Sequence, residues 1–182
     1  MKIDLTLKLS NEIFNAAKKE EKKVFSGHLG THFDVMNKQF PLEYTERNGI
    51  IFDVSSIRDR QIQSEDVDLS QVKEGMFVGF YTGFIEERAY GSASYFHEHP
   101  ELSQELIDAL LNKKISLIGI DFAGVRRGKE HPVVDQHCAN HGVFIIENLC
   151  NLKKVIGNAL IHCYPLNFEG LSGLPCRVIA EI

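Results

Sequence analysis

The sequence predicts an α/β fold, with a mixed sheet and flanking helices in one domain spanning residues 1–182. Three observations predict it. Seven short stretches rich in β-branched and aromatic residues are bounded by Gly, Asn, Asp or Pro, as strands are. From Ser103 onward, helix-like and strand-like stretches alternate, which implies parallel strands joined by helical crossovers. No repeat, linker or low-complexity run divides the 182 residues, and a hydrophobic content of 43% is enough for one core.

Taken in order, "KIDLTL" alternates apolar and polar residues and reads as a strand. Glu12 to Lys23 reads as a helix. Its Lys18, Lys19, Lys22 and Lys23 are diluted by Glu20 and Glu21, so the run is a solvated face. "GIIFDVS" and "MFVGFYT" are strands. Ser103 to Lys114 is the clearest helix: Ser103 suits the N-cap, Glu105 the first turn, and Lys113 and Lys114 the last. Leu102, Leu106, Ala109 and Leu110 give it an apolar stripe. "ISLIGID" follows as a strand, then a helix from about Val133 to His141. "VFIIEN" is the next strand, expected to pair in parallel with "ISLIGID". "NALIHCYP" and "CRVIAEI" complete the set.

A net charge of −5 with a pI of 5.9 and no dense basic block argues against nucleic acid as a partner. No apolar run approaches the ~20 residues of a spanning helix, so no membrane partner is expected. The opening "MKIDLTLKLS" reads as a strand rather than a signal peptide, and the expected address is cytoplasmic. None of Cys138, Cys150, Cys163 and Cys176 forms a C-x-x-C pair, so buried free thiols are expected. Cys138 lies beside His137 but has no evident base or orienting carboxylate to make it a nucleophile.

The chemistry concentrates in "SGHLGTHFDVM", Ser26 to Met36. A straight strand would put His28, His32 and Asp34 on one face but leave His28 and Asp34 about 20 Å apart. A straight helix would turn Asp34 away from the two histidines. One ion can hold all three only if the backbone bends between them. Gly30 permits that bend, and it removes a side chain where a metal would sit. Two imidazoles and a carboxylate suit zinc, manganese or ferrous iron and leave positions open for water. The alternative is a polar turn without a metal. His97 and His99, beside Pro100, are expected in an exposed loop, and His162 half-buried in a strand.

"HLGTHFD" is similar to the H-x-G-T-H-x-D signature of the cyclase or kynurenine formamidase-like family of metal-dependent hydrolases. "IDLT", the "TGF" that ends "VKEGMFVGFYTGF", "LIGID", "VFIIENLCNL" and "GLPCRVIA" resemble further blocks of that family, in the same order. The resemblance implies a swivelling β/β/α fold, a homo-oligomer (dimer or tetramer), and one or two divalent ions, zinc or manganese. It also implies hydrolysis of a small linear or cyclic amide such as a formyl anilide. On it, His28, His32 and Asp34 are metal ligands with Asp34 bridging, and Glu147 serves a second half-site. The helix histidine of that half-site best matches His137, with His131 and His141 as alternatives. The sequence departs where the family continues A-P-x-H: "DVMNKQF" puts Lys38 in place of a proton-moving histidine. The expected stand-ins are Glu147, as a carboxylate base, and Lys38 itself if its charge is suppressed. Two alternatives stay open: cyclase or dehydratase chemistry at the same ions, and a non-catalytic member that binds metal or a small ligand.

Overall fold

The computed structural model describes residues 1–17 and 26–182, and eight strands and five α-helices follow one another among them. The strands are β1 (Lys2–Asp4), β2 (His32–Asp34), β3 (Glu46–Asp53), β4 (Phe77–Tyr81), β5 (Leu117–Ile120), β6 (Phe144–Glu147), β7 (Gly157–Pro165) and β8 (Gly173–Glu181). The helices are α1 (Asn11–Ala17), α2 (Phe84–Glu87), α3 (Ala93–His97), α4 (Gln104–Asn112) and α5 (His131–Asn140). No helix among the described residues is long and apolar enough to cross a membrane.

The strands lie in the order β1-β8-β2-β6-β5-β4-β3-β7, and β7 pairs back onto β8. The mixed sheet therefore closes into a seven-stranded barrel, with β1 added alongside β8. β3, β4, β5 and β6 run parallel, of which the β5–β6 pairing was expected, and the other pairs are antiparallel. Closure gives every strand an inner and an outer face. Phe33, Ile51, Phe77, Leu117, Phe144, Ile146, Ile161 and Val178 fill the barrel. Ile50, Val78, Phe80, Ile118, Ile120 and Ile145 face outward, against Leu106, Ile107 and Leu110 of α4 and Val134 and Cys138 of α5. Both faces of the parallel strands are buried, which is why these strands read as unbroken apolar runs.

Ser103 caps α4 as expected, its hydroxyl accepting from the Leu106 N–H at 3.1 Å. α5 begins two residues before the expected Val133, because Pro132 sits in its first turn, where the missing N–H costs nothing. α1 covers the start of the expected Glu12–Lys23 helix, and residues 18–23 lie outside the described residues. β2 was not expected as a strand. It is three residues long, polar at both ends, and exists through its two neighbours β6 and β8.

The barrel interior is shaped around one ring. Gly49, Gly79 and Gly119 sit on β3, β4 and β5, and Gly79 and Gly119 are direct partners. A Cβ added at Gly119 would lie 2.1 Å from Phe77 Cζ, one at Gly79 2.9 Å from Cε1, and one at Gly49 3.0 Å from Cδ1. The three glycines thus leave the space that the Phe77 ring occupies. Gly119→Ala should cost about 1–3 kcal/mol by overpacking. Phe77→Leu added to it should recover part of that loss in urea denaturation. An undiminished midpoint for Gly119→Ala would mean that Phe77 has room to move aside.

Candidate metal centre

β2 and β6 are antiparallel neighbours with His32 opposite Glu147. Side chains alternate along a strand, so Phe33 and Ile146 point into the barrel while His32, Asp34 and Glu147 point out toward α5. From α5, His131 and Asp135 meet them, four residues apart and so on one helix face. His28 Nε2 lies 3.1 Å from Asp34 Oδ1, and His32 Nε2 lies 3.5 Å from both Asp34 Oδ1 and Glu147 Oε2. His131 Nε2 lies 3.0 Å from both Asp135 Oδ2 and Glu147 Oε1. Ligand atoms of His28, His32 and Asp34 fall within 4.8 Å of one another, as do those of Asp34, His131 and Asp135. Asp34 belongs to both triplets.

The bend that the sequence required is present. Gly27 and Gly30 have φ of +83° and +72°, a region that glycine enters freely. A Cβ on Gly27 would lie 1.9 Å from the Gly173 carbonyl oxygen, so the loop carrying His28 lies directly on the start of β8. A Cβ on Gly30 would meet Leu9 Cδ2 at 3.0 Å. The space that Gly30 vacates therefore faces Leu9 and not a metal, which corrects that part of the expectation. The loop is fixed by hydrogen bonds on all sides. The Gly30 carbonyl accepts from Asn148 Nδ2 at 2.9 Å, and its N–H donates to the Tyr90 hydroxyl at 2.8 Å. The Thr31 hydroxyl donates to the Asn148 carbonyl and accepts from the Leu7 N–H, each at 2.8 Å. The Tyr95 hydroxyl donates to Asn148 Oδ1 at 2.8 Å.

His32 Nδ1 is 2.9 Å from the Gly30 carbonyl, which can only accept, so Nδ1 carries a proton. The lone pair of the neutral ring is then on Nε2, aimed between Asp34 and Glu147. Nε2 of His32, Oδ2 of Asp34 and Oδ1 of Asp135 are buried without a hydrogen-bond partner among the described residues. Buried polar atoms are ordinarily satisfied, and three orphans in one cluster fit a divalent cation. The charges agree. Burial alone would lower the pKa of His32, yet Asp34 and Glu147 hold it up at about 9. Burial likewise opposes protonation of His131, but Asp135 and Glu147 raise it to about 11. Asp34 is held well below the usual carboxylate range, burial notwithstanding, by His32 and His28. Burial and the neighbouring Asp34 push Asp135 up to about 7, and the same two causes raise Glu147. The imidazolium protons occupy the electrostatic place of a divalent ion, and the residues present fit one.

The structure brings His28, His32, Asp34 and Glu147 together and leaves His137 out. Helix geometry gives the reason: at ~100° per residue, position 137 points roughly opposite to 135. His137 Nε2 instead lies 3.1 Å from Asp108 of α4, with 41% of the side chain exposed. His131, an alternative in the sequence, takes the place expected for His137, and Asp135 was missed. Its signal was the H-x-x-x-D spacing of "HPVVD", legible only once the helix start is known. Lys38 is exposed in the turn after β2, and among the described residues no hydrogen bond or ion pair joins its ammonium to the cluster. His99 is not in an exposed loop: it is 2% exposed and stacked on Phe122. His162 lies in β7 between Glu46 and Glu181. The four cysteines are free, and burial pushes the Cys138 thiol up to about 12.

A sequence model of the family described as "Putative cyclase" matches residues 3–126, a span that includes His28, His32 and Asp34 and stops short of α5. No curated protein is a significant match. Among solved structures, one described as "Potential Metal-Dependent Hydrolase With Cyclase Activity" superposes with a TM-score of 0.76 at 25% identity, covering 99% of this chain and 96% of that one. A "predicted metal-dependent hydrolase from Bacillus stearothermophilus" gives 0.76 at 24% identity, over 99% and 97%. Isatin hydrolase A from Ralstonia solanacearum gives 0.71 at 20% identity, over 83% and 70%. The last two share the fold.

Two outcomes are expected. His131→Ala should lower the bound manganese or zinc measured by elemental analysis at least about tenfold, and His137→Ala should leave it unchanged; equal losses would place the half-site elsewhere. The pH dependence has a definite sign. His32 and His131 have raised pKa values, so their stabilisation of the metal-free protein is complete below ~6.5 and is lost as pH rises toward 9. Asp135, raised to about 7, acts in the same direction. Metal binding displaces those protons. The melting temperature without metal should therefore fall from pH 6.5 to 8 while the shift on adding manganese grows; a shift independent of pH would show that the imidazoles bind no ion.

Proposed function

The chain belongs to the cyclase family, and on that footing we propose that it is a metal-dependent hydrolase of small linear or cyclic amides, arylformamidase-like, working with zinc or manganese. The observation that carries this reading is the set of three buried, unpartnered ligand atoms between β2 and α5. The similarity to a metal-dependent hydrolase over nearly the whole of both chains supports the reaction class.

A divalent ion held there would supply Lewis acidity toward the amide carbonyl and activate water. His28, His32 and Asp34 would bind at one half and His131 at the other, with Asp34 common to both and Asp135 beside them. Glu147 spans the halves: Oε2 faces His32 and Oε1 faces His131. Oε1 pairs with His131 at 3.0 Å and Oε2 lies toward His32, so Glu147 is assigned to binding and orientation. Asp135 has one oxygen engaged by His131 and Oδ1 free. Oδ1 is positioned to take a proton as water attacks and return it to the departing nitrogen. This role replaces that of the absent histidine, and exposed Lys38 has no part in it.

The test is turnover of N-formylaniline and of an aromatic-fused lactam by metal-reconstituted protein. Asp135→Asn should lower kcat about a hundredfold or more with metal content retained, and Lys38→Ala should stay within about twofold of the parent. Metal-loaded protein that hydrolyses neither amide would sink the hydrolase reading. Loss of metal from Asp135→Asn would make Asp135 a ligand and remove its proton role.

A further inference from the structure

The carbonyl oxygen of Gly30 accepts from two donors, His32 Nδ1 and Asn148 Nδ2, each at 2.9 Å. A carbonyl has two lone pairs, and both are used. The first bond sets the ring of a candidate ligand, and the second sets the carbonyl to which that ring is tied. Asn148 directly follows Glu147, so the side chain that reaches Gly30 leaves the end of the strand opposite His32.

Asn148 is itself held in one state. It is buried, and its φ of +59° is a left-handed conformation that asparagine enters more readily than most residues. Its amide fits in only one sense. The Gly30 carbonyl cannot donate, so the amide nitrogen faces it, and Oδ1 is left to accept from the Tyr95 hydroxyl at 2.8 Å. The Tyr95 ring is fully buried against Phe84, Tyr90 and Phe96, at centroid distances of 5.6, 5.4 and 5.5 Å. Tyr90 takes the other side of the same glycine, its hydroxyl accepting from the Gly30 N–H at 2.8 Å. One tyrosine thus holds the N–H of Gly30, and the other holds its carbonyl through Asn148.

We propose that Asn148 is a positioning residue for the metal centre: through the Gly30 carbonyl it holds the His32 ring in the orientation and tautomer that turn Nε2 toward Asp34 and Glu147, and Tyr95 acts by fixing the Asn148 amide. Nε2 lies 3.5 Å from both carboxylates, and a turn of the ring would carry it away from them. A histidine that binds a metal depends on the partner of its other ring nitrogen, which fixes the tautomer and the ring plane. Here that partner is a main-chain carbonyl, which no substitution removes. Control over it therefore lies one bond further out, in the side chain of Asn148.

This rests on the metal reading and not on the amide substrate, and the experiment keeps the two apart. Asn148→Gly keeps the positive φ and removes the amide, Tyr95→Phe keeps the ring and removes the hydroxyl, and the double variant combines them. Zinc affinity is measured by competition with a chromogenic chelator, and exchange of the His32 Nδ1 proton with water by NMR of histidine-labelled protein. Asn148→Gly should weaken zinc binding about ten- to a hundredfold and speed the exchange. Tyr95→Phe should do both to a smaller degree, and should add nothing in the Asn148→Gly background, because its effect runs through that amide. Unchanged affinity or unchanged exchange in Asn148→Gly, or a full Tyr95→Phe effect on top of it, would overturn the assignment. If Asn148→Gly does not fold, Tyr95→Phe decides alone: weaker zinc binding with faster exchange upholds the assignment, and any other result overturns it. If wild type takes up no zinc, the metal reading fails, and exchange in the metal-free protein decides: faster in Asn148→Gly upholds the positioning of the ring, and unchanged overturns it.

Discussion

Strand β2 is the constraint on which the rest depends. Three residues, held by β6 on one side and β8 on the other, close the barrel at the same place where they present two members of the candidate metal cluster. The alternation of side chains makes the two tasks inseparable. Phe33 must point inward to fill the interior, so His32 and Asp34 must point outward, opposite Glu147 and under α5. A slip of one residue would bury both polar groups in the barrel and expose the phenylalanine. The Thr31, Tyr90, Tyr95 and Asn148 hydrogen bonds fix the loop ahead of β2 and so hold its register.

Electrostatics tells why such an arrangement is tolerable. Asp34, Asp135 and Glu147 are each 4% exposed or less, and burying carboxylates is costly unless opposite charge comes with them. Without an ion, protons on His32 and His131 provide it. This makes the cluster a matched set of acids and bases rather than a hydrophobic mouth with one polar group, and it favours a partner that brings two positive charges at once.

Much of this was legible in the residues. Seven strands, the parallel pairing of β5 with β6, and the Ser103 cap follow from local pattern, because the barrel buries both faces of its parallel strands and leaves long apolar runs. The H-x-G-T-H-x-D block singled out His28, His32 and Asp34, which the fold brings together, and the need for a bend at Gly30 was a matter of distance alone. The second half was not legible in the same way. Choosing among His131, His137 and His141 requires the phase of α5, which depends on where Pro132 lets the helix begin. β2 itself is too short and too polar to show, since its strand character comes from neighbours more than a hundred residues away. His99 was misplaced because proline beside histidine suggests an exposed loop, and the hydrogen bonds from Arg126 to Leu102 and from Arg127 to Glu101 are tertiary.

The hydrogen bonds that tie the loop before β2 to Asn148 join residues 117 and 118 positions apart. Contacts of such separation form only after the entropy of closing a long loop has been met, so they come late in folding. A growing chain carries His28, His32 and Asp34 long before it has α5 and β6. The complete set of ligands exists only when the barrel has shut. Metal uptake at full affinity would therefore mark finished folding, and an ion held there would fasten together the earliest and latest parts of the chain.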